Sequence, residues 1–535
     1  MHVSNDFSVI RYPELIFGVA GPVGVDMEAI VTALSESLHS VEYKAVNIRL
    51  TDEIAEVPSN AKKPIRRDYY STLNYKMDHT SEICRDNDDP AWAIRYAIDA
   101  IRRERGDLQS HILFDDDVNV EAPFADIAKE DKVLHKVAFI IRQIKRPEEV
   151  KLLRSVYGKQ FIFVSAYGPV EERTKVVFDK IKQTLPITTK SSKVTSFAEA
   201  LINKDASEDA DDYGQHLRDA FHLADVFIDG MAAAPMRLKI DRFINALFGL
   251  NELAPTKAEF GMYAAKGASL RSTDLSRQVG AAIFTSDGEM LVQGCNEVPR
   301  AFGGTYWDTE EPDNRDVKLG SDPNDVLKKD VLRDVLERLE QAKMLSDKAR
   351  KLGKSSGKLI DALTKKPAAD AVDDGSGCLH GALISDLTEF GRVVHAEMNC
   401  ICDAARKGVS LKGAILYCTT FPCHNCTKHI LASGIAKVFY MEPYPKSRAK
   451  ELHHNEIEIE KSSATKVSFM PFLGISPYRY RDIFEKSKRK SGGVAQRWYY
   501  ESPSPMIDVL VPNYTRLELF AVSKLFGSVT ADQPE

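Results

Sequence analysis

Four side chains suited to metal and proton chemistry lie in two short segments of the C-terminal half. His395 and Glu397 stand two positions apart. Cys423 and Cys426 follow at C-x-x-C spacing, directly after Pro422. One imidazole and two thiolates suit zinc, and three protein ligands leave its fourth tetrahedral position open for water. The spacing therefore predicts zinc ligands at His395, Cys423 and Cys426, with Glu397 as the group that carries the proton of that water.

The surrounding sequence predicts a helix, a strand and a second helix that bring these groups together. The first helix begins at residue 395 and ends at Gly408, where a glycine can leave the helical conformation. Residues 413–420 form an apolar run typical of a buried strand. Pro422 opens the second helix, which ends at Gly434. Both pairs of groups would then lie at helix N-termini, whose partial positive charge favours thiolate over thiol.

The order H-x-E followed by P-C-x-x-C is the signature of zinc-dependent nucleobase deaminases. Taken alone, the C-x-x-C pair could instead be half of a structural zinc site or a redox pair. A structural zinc site has no use for Glu397, and the strand–proline–cysteine order does not suggest a thioredoxin-like setting. The other cysteines have no ligand-like spacing and are predicted to be small core residues; they are Cys84, Cys295, Cys378, Cys400, Cys402 and Cys418.

Composition indicates a soluble globular protein of two or three domains. The chain has 535 residues, of which 43% are hydrophobic and 28% charged. A net charge of −6 argues against a protein-wide nucleic-acid footprint, so we expect no DNA partner. The sequence has no apolar run long enough to cross a membrane and no signal peptide, and its eight cysteines suggest a reducing, cytoplasmic setting.

The N-terminal half predicts an α/β domain that begins with a strand, a glycine-rich turn and a helix. Gly18 lies in the predicted strand 14–20, and Gly21 and Gly24 lie in the turn. In this context backbone N–H groups can cradle phosphate. The turn resembles a P-loop, which makes the three glycines candidate phosphate-loop residues and a nucleotide a possible ligand of this domain.

The turn departs from the P-loop pattern at two positions. Val25 stands where a phosphate-binding lysine is expected, and Asp26 where a serine or threonine would hold magnesium. A phosphate-binding remnant or a plain scaffold is therefore expected rather than nucleotide hydrolysis. Further apolar strands alternate with helices, as in a parallel sheet, and the order resembles a P-loop kinase-like domain over residues 1–250. The acidic segment 203–215 is predicted to be a solvated loop, with metal coordination as the alternative.

A second domain, over residues 251–535, is predicted from a change of character near 251–268. Residues 269–304 predict a helix and a hairpin that turns at 286–288. RST, RQVGA and the segment around Asn296 resemble the opening of the cytidine-deaminase fold, and more closely the deoxycytidylate deaminases. The resemblance implies that Asn296 contacts the sugar hydroxyl of a substrate; taken by itself, the residue would be interpreted as a turn or capping residue. Residues 305–390 form a long, charged insertion whose pattern predicts exposed helix. It could cover the substrate or pack on another subunit.

Additional substrate-binding candidates flank the metal motif. They comprise the backbone near Ala396, the side chain of Arg277, and basic or polar groups that follow the second helix and could hold a base or phosphates. Taken singly, each of the later groups would be interpreted as an ordinary surface side chain; they are Lys446, Ser447, Arg479 and Arg481.

The segments LTEFGRVVHAEMNCICDAARKG, TTFPCHNCTKHI and MEPYPKS, together with the P-loop-like first half, resemble two-domain bacterial anti-phage deoxycytidine nucleotide deaminases of the DcdV or AvcD type. The resemblance implies deamination of dCTP and dCMP to dUTP and dUMP during phage infection. It also implies a homo-oligomer and restraint by a small noncoding RNA. Two other functions remain open from the residues: a deaminase of RNA or single-stranded DNA, and a non-enzymatic nucleotide sensor.

Overall fold

The computed structural model describes residues 10–112, 133–208, 211–353, 355–366, 375–387, 389–444, 446–487, 489–507, 509 and 514–526. The chain divides into two compact units. The first comprises Met1–Glu259 with Phe472–Glu535, and the second comprises Phe260–Pro471. None of the helices within the described ranges is long and apolar enough to cross a membrane.

The strands are short and belong to two six-stranded sheets and one hairpin. In chain order they are β1 (Leu15–Ala20), β2 (Lys44–Arg49), β3 (Val137–Arg142), β4 (Phe161–Tyr167), β5 (Val226–Asp229), β6 (Gly280–Phe284), β7 (Met290–Cys295), β8 (Ile415–Thr420), β9 (Lys437–Glu442), β10 (Ile457–Ile459), β11 (Val467–Pro471), β12 (Gly474–Ile475), β13 (Lys490–Ser491) and β14 (Val494–Ala495).

The helices alternate with these strands through most of the chain. They are α1 (Met27–Ser40), α2 (Leu50–Glu53), α3 (Tyr69–Asp86), α4 (Ile94–Ile112), α5 (Pro147–Tyr157), α6 (Val170–Thr184), α7 (Ser191–Ala206), α8 (Leu217–Phe221), α9 (Ala233–Leu247), α10 (Lys257–Ser269), α11 (Asp316–Leu319), α12 (Pro323–Gln341), α13 (Asp347–Leu352), α14 (Ser356–Thr364), α15 (Ala396–Lys407), α16 (His424–Ser433), α17 (Ala449–His453), α18 (Tyr480–Phe484) and α19 (Tyr514–Ser523).

The first unit is built on a mainly parallel sheet, as the alternating pattern predicts. Its strand order is β12-β5-β4-β1-β3-β2, and only β12 runs antiparallel to its neighbour. Every residue of β1 is buried, which is the pattern of a strand covered on both faces. Leu15, Phe17 and Val19 join α1 and α9 in one apolar core.

The division of the chain differs from the predicted domains in its C-terminal part. The first division falls after Glu259, close to the predicted position, but residues from Phe472 onward return to the first unit. There β12 pairs with β5, and Ile475 and Ile483 enter the core of the first unit. The sequence does not predict this return, because short elements of mixed polarity give no signal of their long-range partners.

A buried ion network fixes this returning segment. Arg105 of α4 donates to the carboxylates of Glu14 and Glu518, and both carboxylates are fully buried. The Tyr514 hydroxyl and the Leu134 amide donate to Glu14 as well. Two carboxylates therefore share one guanidinium, so that loss of the cation would leave uncompensated buried charge.

The second unit contains a mixed sheet in the order β10-β11-β9-β8-β6-β7. The predicted hairpin is present as β6 and β7, and its turn contains Gly288 at φ +100°. β8 runs antiparallel to β6 and parallel to β9. Helices α15 and α16 contribute Ala396, Cys400 and Cys426 to the apolar core that this sheet shares with them.

Three other predictions need correction. In the segment predicted as a solvated acidic loop, α7 extends to Ala206 and Asp205 is fully buried; residues 209–210 lie outside the described residues. Cys378 and Cys402 are exposed rather than core residues. The insertion is helical as expected, but it has an apolar cluster of its own around Leu336 and Ile360.

Replacing Arg105 with methionine should destabilise the first unit by about 3–5 kcal/mol, since Glu14 and Glu518 would remain buried without a cation. Urea unfolding measures the change in the free energy of unfolding, and hydrogen exchange of the amides in β1 and α19 shows whether the loss lies in the first unit. Arg103→Met is the matched control on the same helix. Its side chain is 58% exposed beside Glu53 and Asp99, so about 1 kcal/mol or less is expected. Equal losses in the two variants would contradict the role of the network.

Candidate active site

Two helix N-termini position the metal-binding side chains. His395 is the residue before α15, and Cys423 is the residue before α16, each with an extended backbone. The Cys426 amide donates to the Cys423 sulfur at 3.4 Å, so the first thiol caps its own helix. Both helices end where predicted, at Gly408 and Gly434, which adopt left-handed conformations at φ +70° and +82°.

The side-chain atoms of the three predicted metal ligands lie close together. One atom each from His395, Cys423 and Cys426 lies within 4.8 Å of the others. The Nδ1 atom of His395 is 3.3 Å from the Cys423 sulfur and 3.4 Å from the Cys426 sulfur. Ligands on one tetrahedral zinc, at ordinary bond lengths, are separated by about 3.5 Å. The donor types and their spacing therefore fit zinc held by three protein ligands.

Glu397 lies beside this group on the first turn of α15. Its side chain is buried, and its Oε2 atom is 3.4 Å from the Cys426 sulfur. Burial raises the pKa of this carboxyl above its ordinary value. A carboxyl with a raised pKa next to a metal-activated water has the properties that a general acid–base needs near neutral pH.

Hydrogen bonds among the three candidate ligands shift the pKa values of their side chains. The hydrogen bond with Cys423 raises the pKa of His395 to about 9. The hydrogen bond with Cys426 is the largest of the causes that lower the pKa of Cys423 to about 4, while the pKa of Cys426 itself is raised. One thiol thus favours the thiolate form that metals bind, and metal binding would release the protons held between these groups.

A cavity of about 360 Å³ opens in front of these residues. Its lining includes His395, Ala396, Glu397 and Cys423 together with several charged side chains. A volume of this size is within the range of small-molecule sites. The Nδ1 atom of His424, also on the wall, is buried without a hydrogen-bond partner among the described residues.

The other predicted substrate-binding side chains also line this cavity, but they differ in burial and in their hydrogen-bond or ion-pair partners. Asn296 is buried and accepts from the Val279 amide while donating to the Arg277 carbonyl, so its amide also holds the backbone before β6. The Arg277 side chain is exposed and makes no ion pair within the described residues. Lys446 is paired with Asp386 at 2.6 Å.

Ala396 lies in the first helical turn, where backbone N–H groups have no partner inside the helix. A base edge could accept from these groups, and that role of Ala396 stays a prediction.

Three basic or polar candidates lie outside the cavity lining. Arg479 belongs to the first unit, where it is buried against Asp225 and donates to backbone carbonyls. Arg481 forms an exposed pair with Glu485 one helical turn away. Ser447 donates to the carbonyl of Pro422 and so braces the loop before α16. Their residue types suggested phosphate contacts, but long-range folding assigns them to structural or surface positions.

The insertion, for which covering the substrate was one of two alternatives, contributes lining residues that sequence reasoning did not single out. Asp316, Asp322 and Asn324 line it, and so does Arg392, just before the metal motif. Arg392 donates to Asp316 at 2.9 Å, so part of the insertion is tied to the cavity wall. The proximity of Arg392 to His395 was the one signal available in the sequence.

Comparison with known proteins agrees with this geometry. Residues 255–442 match the family model described as "Cytidine and deoxycytidylate deaminase zinc-binding region". This part of the chain is a deaminase-like zinc-binding region. The match includes the three predicted ligands and Glu397, and it leaves most of the first unit unmatched.

Curated relatives match over short stretches. Deoxycytidylate deaminase of enterobacteria phage T2 is 49% identical over 55 residues, which are 10% of this chain and 29% of that protein. ComE operon protein 2 of Bacillus subtilis is 43% identical over 68 residues, or 13% and 33% of the two chains. The chain therefore spans about a third or less of the length of these relatives.

The solved structure of the dCMP deaminase from cyanophage S-TIM5, in complex with dCMP and dUMP, aligns with this chain at 19% sequence identity. The alignment covers 41% of this chain and 99% of that chain, with a TM-score of 0.22.

Replacing Cys423 or Cys426 with serine should remove zinc from the purified protein, because a hydroxyl is a far weaker zinc ligand than a thiolate. Elemental analysis measures the metal content per chain. Cys402→Ser is the matched control, since this exposed thiol on α15 is not part of the cluster and its loss should leave zinc unchanged. Full zinc content in both cluster variants would contradict the assignment.

Proposed function

We propose that the protein is a zinc-dependent deoxycytidine nucleotide deaminase, which converts dCMP, dCTP or both to the uracil nucleotide and ammonia. The observation that carries the proposal is the convergence of His395, Cys423 and Cys426 beside a buried carboxyl, Glu397, at the end of a cavity. The matched family region and the relatives named deoxycytidylate deaminase support the same chemistry.

His395, Cys423 and Cys426 would hold the zinc, which supplies an activated water molecule when bound. Glu397 would take one proton from this water and deliver it to N3 of the cytosine ring, while the water oxygen forms a bond to C4. Glu397 would then take the remaining proton from the new C4 hydroxyl and pass it to the exocyclic amine. The bond from C4 to that nitrogen breaks, so that a C4 carbonyl (uracil) and ammonia are the products.

Contacts to the rest of the substrate come from the cavity wall. We assign the base edge to backbone N–H groups near Ala396. The Nδ1 atom of His424, which has no hydrogen-bond partner among the described residues, offers a further polar contact. We assign the sugar contact to Asn296, as the resemblance implies. Arg392 and Lys446 are already paired with carboxylates, so we assign the substrate phosphate to Arg277, which makes no ion pair in the described part of the chain.

The charge of the wall bears on the alternative substrates. Four aspartates line this cavity, namely Asp274, Asp316, Asp322 and Asp386. RNA or single-stranded DNA would require a groove with excess positive charge along several phosphates. A free nucleotide needs only a local cation, which supports the nucleotide deaminase over a nucleic-acid editor. A sensor without catalysis would give Glu397 no role.

The biological setting belongs to the same proposal and rests on the resemblance of the whole chain. It comprises depletion of the dCTP pool in anti-phage defence, a homo-oligomer, an inhibitory small noncoding RNA, and a P-loop kinase-like character for the first unit. A cytoplasmic location stays a prediction from cysteine usage. Infecting cells that carry the wild-type or the Glu397→Gln gene, and following their dCTP pool, tests the defence role.

Glu397→Gln should lower the rate of ammonia release by about 10²-fold or more, since it removes the proton carrier while keeping the shape of the side chain. Zinc content should stay at the wild-type level. Incubation with dCMP and dCTP, followed by chromatography of the uracil products, measures the rate. Glu451→Gln, on an exposed helix of the same unit, is the control and should leave the rate unchanged. Comparable turnover in Glu397→Gln would exclude the proposed role.

Arg277→Gln should raise the KM for dCMP by about tenfold, the value of one charge-assisted hydrogen bond, with little change in kcat. The kinetics with deoxycytidine, which has no phosphate, should not change. Arg300→Gln serves as the control because Arg300 is an exposed arginine outside the cavity lining. Equal effects on the nucleotide and the nucleoside would show that Arg277 does not contact the phosphate.

A further inference from the structure

The first unit contains a cavity of its own, of about 480 Å³. It is lined by the glycine-rich turn after β1, by residues after β2 and β3, and by parts of α3 and α6. In the strand order, β3 and β2 lie on one side of β1, and β4 and β5 lie on the other. The chain therefore changes direction along the sheet when it passes from β3 to β4. The carboxyl ends of strands at such a topological switch point are the usual ligand site of parallel sheets.

The glycine turn itself is closed by an internal carboxylate. Asp205, which is fully buried, accepts from the Val23 amide at 2.7 Å and from the Lys145 ammonium at 2.6 Å. Lys145 also donates to the Gly21 carbonyl. Asp26 caps α1 by accepting an amide of its first turn. The turn therefore already holds an anion supplied by the chain.

Helices α3 and α6 and the residue before Asp68 add cations to the lining that have no such partner among the described residues. They are Arg67, Lys76 and Lys180, and none of them makes an ion pair within the described residues. Lys180 lies over the ring of Tyr69, with its Nζ atom 5.8 Å from the ring centroid.

Four acidic residues also line the cavity. Glu28 and Glu149 pair with arginines, whereas Asp26 and Asp68 accept from backbone amides, which do not cancel their charge. The three unpaired cations outnumber these two carboxylates, so the lining keeps a small surplus of positive charge.

One wall residue has a strained backbone. Gln143, the residue after β3, has φ +79°, a region that non-glycine residues rarely adopt. Its side chain accepts from the Thr51 hydroxyl, which also lines the cavity. Strain of this kind persists where the surrounding structure fixes a functional geometry.

We propose that this cavity binds a small molecule bearing a polyphosphate chain, and that Arg67, Lys76 and Lys180 hold the phosphates. The phosphates lie against α3 and α6 and not in the glycine turn, because Asp205 occupies the turn. The cavity volume suits a small-molecule ligand. The ligand is free polyphosphate or a nucleoside triphosphate, which share this chemistry.

Calorimetry of the full chain with inorganic tripolyphosphate, and separately with ATP, tests the proposal. We expect binding of at least one of the two. Binding of both indicates that the phosphate chain suffices, and binding of ATP alone indicates that the nucleoside is also recognised. Absence of binding by both would overturn the proposal.

Lys76→Gln and Lys180→Gln locate the site. Each should weaken binding by about tenfold or more, the effect of removing one charge-assisted contact. Lys182→Gln is the matched control, since Lys182 lies on α6 but not on the cavity lining. Unchanged binding in both test variants would place the ligand elsewhere and overturn the proposal. Lys180 and Lys182 are exposed, so neither substitution should affect folding, and thermal melting checks this.

Asp205→Asn separates a phosphate site from a cation site. In a phosphate site this variant should bind tripolyphosphate or ATP at least as tightly as the wild type, because a negative charge near the ligand is removed. If Asp205→Asn abolishes binding while Lys76→Gln leaves it unchanged, the carboxylate itself holds the ligand through a cation, and the proposal is wrong.

Discussion

The metal-binding geometry depends on two helices that begin at the same end of one strand. α15 runs back along the sheet before β8, and α16 begins just after β8 ends. The chain reverses between α15 and β8 through Gly408 and Gly413, both in left-handed conformations that side chains disfavour. Because of this reversal, the carboxyl end of β8 lies beside the start of α15. His395 and Cys423 consequently meet, although 27 residues separate them in the chain.

The same geometry buries a carboxyl at a position where an apolar side chain would be more favourable for folding. Glu397 is buried beside the Cys426 sulfur, and its burial disfavours the ionised form. A cation bound by His395, Cys423 and Cys426 would offset this cost, because it lies next to both the thiolates and the carboxyl. The arrangement is thus unfavourable as a plain protein core and favourable as a metal site, and it ties the energetics of the fold to the proposed chemistry.

The sequence allowed prediction of features whose signal is local. The ends of α15 and α16 are marked by Gly408 and Gly434, and the parallel sheet of the first unit follows from apolar strands alternating with helices. The ligand spacing is local too, since C-x-x-C places two thiols on one turn of a helix.

Features set by long-range packing could not be predicted. Arg479 is a buried partner of Asp225, 254 positions away, and its residue type alone suggested a phosphate contact. Asp205 lies in an acidic run whose composition indicates solvent exposure, but a single lysine at the end of β3 makes its burial favourable. The return of α19 to the first unit depends on Arg105 meeting Glu518 across 413 positions, which no periodicity reveals.

The glycine turn of the first unit is closed by groups of the chain itself. Val25 stands where the P-loop pattern has a lysine, and Lys145, which follows β3, donates to the Gly21 carbonyl of the same turn. Asp205 neutralises this lysine, and displacing this carboxylate would break two hydrogen bonds to charged or amide groups, at about 1.5–3 kcal/mol for each charged one. A phosphate held by the proposed cations of α3 and α6 would leave this carboxylate in place. Asp26 stands where the P-loop pattern has a serine or threonine, and it accepts from an amide of α1, so the turn offers no hydroxyl for magnesium at that position.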